Sequence, residues 1–203
     1  MAPSSAATYA TLREIEGRLK SIRNIEKITK TMKIVASTKL ARAQRAMTES
    51  RSYGETSNKV YETAETAIPE GGKKLVVVCS SDKGLCGGIH SGLSRWVRRQ
   101  TPGDFDIVIL GEKARAQLSR THSKAIQLSF AGVGKEVPTF ADAQAIADQI
   151  VQLPGEYSEV EIVYNKFINA SSYEPATIAA FSEEAFLGSR MSHDHLRVPN
   201  NVS

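Results

Sequence analysis

A glycine-rich segment, SSDKGLCGG at residues 80–88, follows an apolar run and is the sharpest chemical feature of the sequence. A turn of this kind between a strand and a helix is where doubly wound folds bind phosphate groups. Its glycine spacing matches neither the GxGxxG of dinucleotide sites nor the GxxxxGK of P-loops. We therefore predict a tight turn whose glycines permit positive φ, with Ser81 or Asp82 accepting hydrogen bonds from backbone N–H groups. A nucleotide site at this turn is the weaker alternative.

Cysteine and histidine residues give little support for catalysis or metal binding. Cys79 and Cys86 lack CxxC spacing and a neighbouring histidine, so both are predicted to be buried small apolar side chains. His90 and His122 stand alone, and the HDH run at 193–195 is more often solvated than metal-bound. No nucleophile with a base, and no pair of carboxylates, can be assembled from the sequence. We predict no catalytic residue, no metal and no cofactor.

Positive charge is concentrated in the first quarter of the chain. Residues 1–53 contain eleven Lys or Arg against four Glu, whereas the remaining residues contain fifteen cations and eighteen acids. Two basic rows recur at intervals of three, and their members are Lys27, Lys30, Lys33, Lys39, Arg42 and Arg45. Such rows predict an acidic partner, which could be nucleic acid, an anionic membrane or an acidic protein surface. The alternative is an ordinary solvated face of a coiled coil.

The same segment is predicted to be one long helix, because no Pro and a single Gly interrupt residues 12–47. Apolar or small residues recur along it at a mean spacing of about 3.5, which is typical of a left-handed coiled coil. We name this row the apolar seam, and its members are Leu12, Ile15, Leu19, Ile22, Ile25, Ile28, Met32, Val35, Leu40, Ala43 and Met47. A seam of this length needs a partner helix. The residues from 191 onward show no heptad that could supply one.

From residue 73 onward, short apolar runs alternate with helical stretches. Strands are predicted at 74–80, 104–111, 125–130 and 159–168, and a run at 175–181 could pair with the last of them as an antiparallel hairpin. Helices are predicted at 89–99, 112–120 and 140–153. This alternation indicates a doubly wound, mostly parallel α/β sheet with helices on both faces, a Rossmann-like fold.

Composition and length limit the remaining possibilities. With 41% hydrophobic and 24% charged residues, the chain has a globular composition. No apolar run approaches the roughly 18 residues that span a bilayer, and the first nine residues show neither a signal nor a transit peptide. We divide the chain into a basic helix with its linker at 1–72, an α/β domain at 73–190 and a tail at 191–203.

Several segments identify a family. ATLREIEGRLKSIRNIEKITKTMKIVASTKLARAQ (10–44) and SSDKGLCGGIHSGL (80–93) closely resemble the gamma subunit of F-type ATP synthases. GEKARAQLSRTHS (111–123) and KEVPTFADA (135–143) are similar to its mitochondrial branch. The resemblance extends from residue 10 to about residue 186 and implies a non-catalytic subunit.

The resemblance implies a rotor of the central stalk. In that family an N-terminal and a C-terminal helix form an antiparallel coiled coil inside a ring of alpha and beta subunits. The α/β domain is the foot, which rests against the membrane c-ring, and proton-driven rotation changes each beta site in turn for ATP synthesis. The implied partners are the alpha, beta, delta and epsilon subunits and the c-ring, without nucleic acid and without direct membrane insertion. The implied location is the matrix side of the mitochondrial inner membrane.

The resemblance also gives the cations a role. The basic rows fall on the shaft, where they would face acidic loops of the beta subunits, and Lys83 would contribute to the same contacts. Lys83 stands where many members have Arg, which keeps the charge but removes the fork that binds a carboxylate bidentately. The family's C-terminal helix and the chloroplast dithiol insertion are missing from the sequence given. A basic coiled-coil nucleic-acid-binding protein and a nucleotide-binding α/β enzyme are the alternatives.

Overall fold

The computed structural model describes residues 11–63, 73–100 and 105–180. The predicted linker before residue 73, the tail from residue 191 and the HDH run lie outside these ranges. The elements are, in chain order, α1 (Leu12–Thr63), β1 (Lys73–Cys79), α2 (Ile89–Arg99), β2 (Phe105–Leu110), α3 (Glu112–Leu118), β3 (Ile126–Phe130), α4 (Phe140–Val151), β4 (Tyr157–Asn169) and β5 (Ser172–Ala180). The chain divides into two compact units, Met1–Thr56 and Ser57–Ser203, which we name the arm and the body.

The helix α1 begins at a capping box. The Thr11 N–H donates to Glu14 Oε2 at 2.8 Å, and the Glu14 N–H donates to Thr11 Oγ1 at 3.4 Å. The helix is 52 residues long, or about 78 Å at 1.5 Å per residue. It continues past the predicted end at Met47, because Gly54 alone costs only about 1 kcal/mol and the next Pro is Pro69.

Serine and threonine side chains along α1 are satisfied within the helix. Each of eight hydroxyls donates to the carbonyl oxygen four residues earlier, and these belong to Ser21, Thr29, Thr31, Ser37, Thr38, Thr48, Ser50 and Thr56. Hydroxyls bonded in this way need no outside partner. The side chains of α1 that these bonds do not involve are mainly apolar or charged.

The body contains a five-stranded sheet in the order β3-β2-β1-β4-β5. All neighbouring strands are parallel except β4 and β5, which pair antiparallel. In the central strand β1, Val76 lies opposite Ile107 of β2, and Val78 lies opposite Val163 of β4. The predicted mostly parallel α/β sheet and its terminal hairpin are therefore confirmed.

Helices cover the two faces of the sheet unequally. On one face, α2 and α3 bury Leu93, Val97 and Leu118 against β-branched residues of the central strands. On the other face, Ile150 and Leu153 pack against a smaller cluster that includes Leu75, Val77 and Val108. No residue of α4 itself is fully buried. The prediction of helices on both faces is confirmed, with the stronger core on the side of α2 and α3.

Candidate functional site

The apolar seam lies on the surface of α1. Its members from Leu12 to Val35 are between 45% and 74% exposed within the described structure. Ile34, which does not belong to the predicted seam, is 61% exposed as well. The spacing analysis missed Ile34 because it lies one residue from Val35 and therefore outside the heptad pattern. An uncovered apolar row of this size marks a surface that another helix or protein must cover.

The six cations of the basic rows are exposed. None of them forms an ion pair or a side-chain hydrogen bond with the part of the chain that the structure describes. A two-residue step leaves side chains about 160° apart around a helix. Lys30 therefore lies opposite Ile28, and Arg45 lies opposite Met47. At these positions α1 presents an apolar side and an opposite basic side.

Asp82 organises the glycine-rich turn after β1. Its carboxylate accepts hydrogen bonds from the Glu112 N–H and the Gly132 N–H, and the Asp82 N–H donates to Val133 O at 2.9 Å. The turns after β1, β2 and β3 are thereby held together. The Glu112 N–H is the main cause that lowers the pKa of Asp82, and it outweighs the opposing effect of burial with help from Gly132 and nearby lysines. The predicted role of Asp82 as an acceptor is confirmed.

The carboxylate of Asp82 lies where a doubly wound fold would hold a phosphate. The neighbouring space is narrow. A Cβ at Gly111, which has φ of 100°, would lie 2.6 Å from the backbone of Ser81. A Cβ at Gly134, which has φ of 73°, would lie 2.7 Å from Ser81 Cβ. The chain's own carboxylate and closely packed backbone therefore take the place of a ligand at this edge of the sheet.

The turn also contains a feature that the sequence did not predict. Gly87 adopts the expected positive φ, but so does Leu85, with φ of 59°, and this leucine is 90% exposed. A leucine in the left-handed region is unusual, and such conformations cluster at functional positions. Lys83 Nζ donates to Lys135 O at 2.7 Å, which uses one of its three N–H donors. Lys83 and Leu85 are both exposed on this turn.

The cysteines and His90 have structural surroundings. Cys79 is half-buried, and burial raises the pKa of its thiol to about 11, so it stays protonated. The Cys86 thiol donates to Gly84 O at 3.1 Å. His90 is buried and has partners, although no partner was evident from the sequence. Its Nε2 donates to Lys83 O at 2.9 Å, and its Nδ1 accepts from Ser80 Oγ at 2.8 Å. Both ring nitrogens are thus used to support the turn.

A polar cluster around the buried Asp106, at the end of the sheet where the parallel strands begin, was missed by the sequence analysis. The carboxylate of Asp106 in β2 accepts from Lys73 Nζ at 2.6 Å, from Gln127 Nε2 at 3.0 Å and from Tyr157 Oη at 2.9 Å. Burial alone would raise the pKa of Asp106, but these three bonds outweigh it and hold the pKa below its ordinary value. Burial, with Asp106 next to it, raises the pKa of Tyr157 to about 12. The sequence signal for this cluster was Asp106 itself, a single acidic residue within the apolar strand β2.

Within residues 11–63, 73–100 and 105–180, no group of three or more His, Cys, Asp or Glu side chains is arranged to hold a metal. The same ranges contain no helix with the length and apolar content needed to cross a bilayer.

Comparison with known proteins agrees with this architecture. A family model described as ATP synthase matches residues 11–199. The chain is 57% identical over 185 residues to ATP synthase subunit gamma, mitochondrial, of Yarrowia lipolytica, covering 87% of this chain and 63% of that protein. It is 45% identical to the subunit of the same name from Kluyveromyces lactis, covering 98% of this chain and 71% of that protein.

A solved structure gives the same result. The central stalk and c-ring structure of Tetrahymena thermophila mitochondrial ATP synthase contains a chain that is 30% identical, with a TM-score of 0.68. The match covers 79% of this chain and 75% of that chain. The chain thus shares its fold, a long helix followed by an α/β body, with a chain of that central stalk structure. The chain belongs to the ATP synthase gamma-subunit family, and the relatives reported above are mitochondrial.

Proposed function

We propose that the chain is the shaft helix and foot of a central-stalk rotor, which couples proton-driven rotation of a membrane c-ring to conformational changes at beta-subunit catalytic sites during ATP synthesis. It would act with alpha, beta, delta and epsilon subunits on the matrix side of the mitochondrial inner membrane. It has no catalytic role of its own in this proposal. The chain spans 63% of the length of the Yarrowia relative.

The observation that most favours a rotor is the surface of α1. A helix of about 78 Å carries an uncovered apolar seam and unpaired cations, of which Lys30 lies opposite Ile28 and Arg45 lies opposite Met47. A seam can be covered by a second helix of a coiled coil, while cations outside the seam stay available to surrounding acidic loops. A shaft whose surface varies around its axis in this way presents a different surface to each subunit around it.

The expected contact energies are of the size that shifts a conformational equilibrium in a neighbouring subunit. An exposed ion pair contributes about 0.2 to 1 kcal/mol, so six cations contribute on the order of 1 to 6 kcal/mol when they face carboxylates. A shift of 1.4 kcal/mol changes the equilibrium between two conformations tenfold. As the shaft turns, the exposed cations would favour one conformation of the nearest beta subunit, and surfaces of the shaft without them would favour another. Lys39, Arg42 and Arg45 would extend the contact of Lys27, Lys30 and Lys33 along the shaft.

Lys83 would provide a contact from the body. It is exposed beside Leu85 on a turn that Asp82 and His90 hold in place. A lysine makes a point-charge contact, so the partner carboxylate would need no fixed orientation. Because the Asp82 carboxylate lies where a nucleotide phosphate would bind, this edge of the sheet is better suited to a mechanical role than to nucleotide binding.

The proposal is tested by replacing Lys27, Lys30 and Lys33 together with Gln in the native ATP synthase. The change should leave assembly intact, alter the rate of ATP turnover and weaken its dependence on salt, because screened ion pairs are lost. The matched control replaces the same three residues with Arg, which keeps the charge, and should retain most of the turnover. Unchanged turnover and salt dependence in the Gln variant would contradict the proposed role of these residues. Failure of the native chain to co-purify with alpha and beta subunits would contradict the rotor proposal itself.

A further inference from the structure

Exposed cations accumulate on the helical layer of the body formed by α2 and α3. The described part of residues 89–125 contains seven Lys or Arg side chains and two carboxylates. Both carboxylates are already engaged, Asp106 by Lys73 and Glu112 by Arg115. This layer therefore has a surplus of positive charge, although the residues after 53 contain more acids than cations.

Four of these cations lie at the edge of the sheet where the parallel strands begin. Arg98 and Arg99 end α2, Arg120 follows the end of α3, and Lys124 precedes β3. In a right-handed βαβ unit each helix runs back to the start of the next strand, so these ends come to the same edge. We name the four residues the amino-edge cations.

Contacts between the two turns support this placement. The ring of His122 lies 6.1 Å from the ring of Phe105, the first residue of β2. The Ile107 N–H donates to Ala125 O at 2.7 Å. The turn that carries Lys124 therefore packs beside the start of β2, near the end of α2. Arg95, one helical turn before Arg99, extends the positive surface along α2.

No interaction among the described residues explains all four amino-edge cations. They are exposed, and none forms an ion pair or a side-chain hydrogen bond among the described residues. The dipole of α2 favours Arg98 and Arg99 in its last turn. That effect does not extend to Arg120, beyond the end of α3, or to Lys124 in the following turn. By contrast, Lys74 at the same edge is neutralised by Glu159 and Glu161.

We infer that the amino-edge cations form a docking surface for the anionic headgroups of a phospholipid bilayer. Basic side chains near an anionic leaflet each add to peripheral binding without insertion, and their long stems let them reach a flat surface together. Trp96, the single tryptophan of the chain, lies on the same helix α2, partly buried against the core of the body. This inference rests on the charge of the body and is independent of the proposed rotor function.

The single tryptophan makes the test specific. The full chain is mixed with phosphatidylcholine vesicles that contain about one fifth phosphatidylglycerol and a trace of dansyl-labelled headgroup. Energy transfer from Trp96 to dansyl should appear with these vesicles, decrease with added salt, and stay absent with phosphatidylcholine alone. The variant Arg98→Gln, Arg99→Gln, Arg120→Gln should bind roughly 100-fold more weakly, since each cation adds about fivefold.

A matched control removes the same charge elsewhere on the body. The variant Lys113→Gln, Lys135→Gln, Lys166→Gln should keep most of the energy transfer, because these lysines are exposed but are not amino-edge cations. All variants should keep the far-ultraviolet circular dichroism of the unmodified chain. Equal losses in both variants would overturn the inference, because binding would then depend on total charge or on the basic arm. Tighter binding of duplex DNA through the same three arginines would also overturn it, in favour of nucleic acid.

Discussion

The arm and the body use the same apolar residue types in opposite ways. In the body, Leu93 and Ile107 are fully buried, and the β-branched residues of β1 are closed off by neighbouring strands and helices. In the arm, Leu12 and Ile25 are 74% and 61% exposed although they recur with equal regularity. Regular apolar spacing therefore predicts that a surface will be buried, but not that the same chain buries it.

Charge shows the same contrast. Lys73 and Lys74 in the body are paired with carboxylates, whereas Lys27 and Lys30 in the arm have no such partner among the described residues. A body with buried apolar side chains and paired strand charges can be stable by itself. An arm with neither can become stable only in an assembly.

The largest expected effect follows from covering the seam. We expect the chain alone to self-associate through its exposed seam. Adding a helix with a complementary heptad pattern should raise the helical content of the arm and abolish this self-association, because burying each large apolar side chain contributes about 1.5 to 3 kcal/mol relative to full exposure. Circular dichroism and sedimentation of the chain with and without the added helix measure this. A monodisperse monomer with a fully helical arm and no added helix would show that the seam needs no partner.

Two substitutions of a large apolar residue by Ala, one in each unit, compare the arm and the body directly. Leu93→Ala should destabilise the body by about 2 to 5 kcal/mol, because it leaves a cavity in the core. Ile25→Ala should change the stability of the body by less than about 0.5 kcal/mol, since its side chain is exposed. Urea unfolding followed by Trp96 fluorescence reports on the body alone. Similar losses in the two variants would remove the distinction between the units.

The polar cluster around Asp106 should have a smaller effect that depends on pH. The pKa of Asp106 is lower in the folded protein than in the unfolded chain. The stability that the ionised carboxylate contributes is therefore fully present above the unfolded pKa of about 3.9 and is lost as the pH falls through the folded pKa. Asp106→Asn should cost about 1.5 to 3 kcal/mol at neutral pH, because charged hydrogen bonds are lost. The loss of stability below about pH 4 should also become less steep in this variant. Chemical unfolding between neutral and acidic pH measures both effects, with exposed Glu136→Gln as the control.

The smallest expected effect is the absence of a signal. Calorimetric titration of the full chain with ATP and with NAD should give no binding heat, because Asp82 and the backbone around Gly111 take the place of a pyrophosphate. Micromolar binding that disappears in Asp82→Ala would show that this edge retains a ligand site. The mechanical interpretation of the turn would then be wrong.

Much of the architecture could be predicted because it depends on local patterns. The β-branched run in β1, the alternation of strands and helices, and the acceptor role of Asp82 all follow from spacing and turn chemistry. The cluster around Asp106 could not be predicted, because Lys73, Gln127 and Tyr157 come from three other strands and meet only when the sheet forms. The partners of His90, Ser80 and the Lys83 carbonyl, are close in sequence but were missed because they depend on how the turn between β1 and α2 folds back on the helix. The positive φ of Leu85 could not be predicted either, because it runs against the preference of a leucine.

The bonds of Asp82 have a consequence for how the body opens. Glu112 is the first residue of α3 and Gly132 lies in the turn after β3, and at exposed positions of this kind hydrogen exchange of the amide is ordinarily fast, yet both amides donate to one carboxylate. Neither amide can exchange until its bond to Asp82 breaks, and His90 holds the adjoining turn through Lys83 O. The three turns should therefore open as one cooperative unit rather than one at a time. A force applied to one of them would be shared by all three.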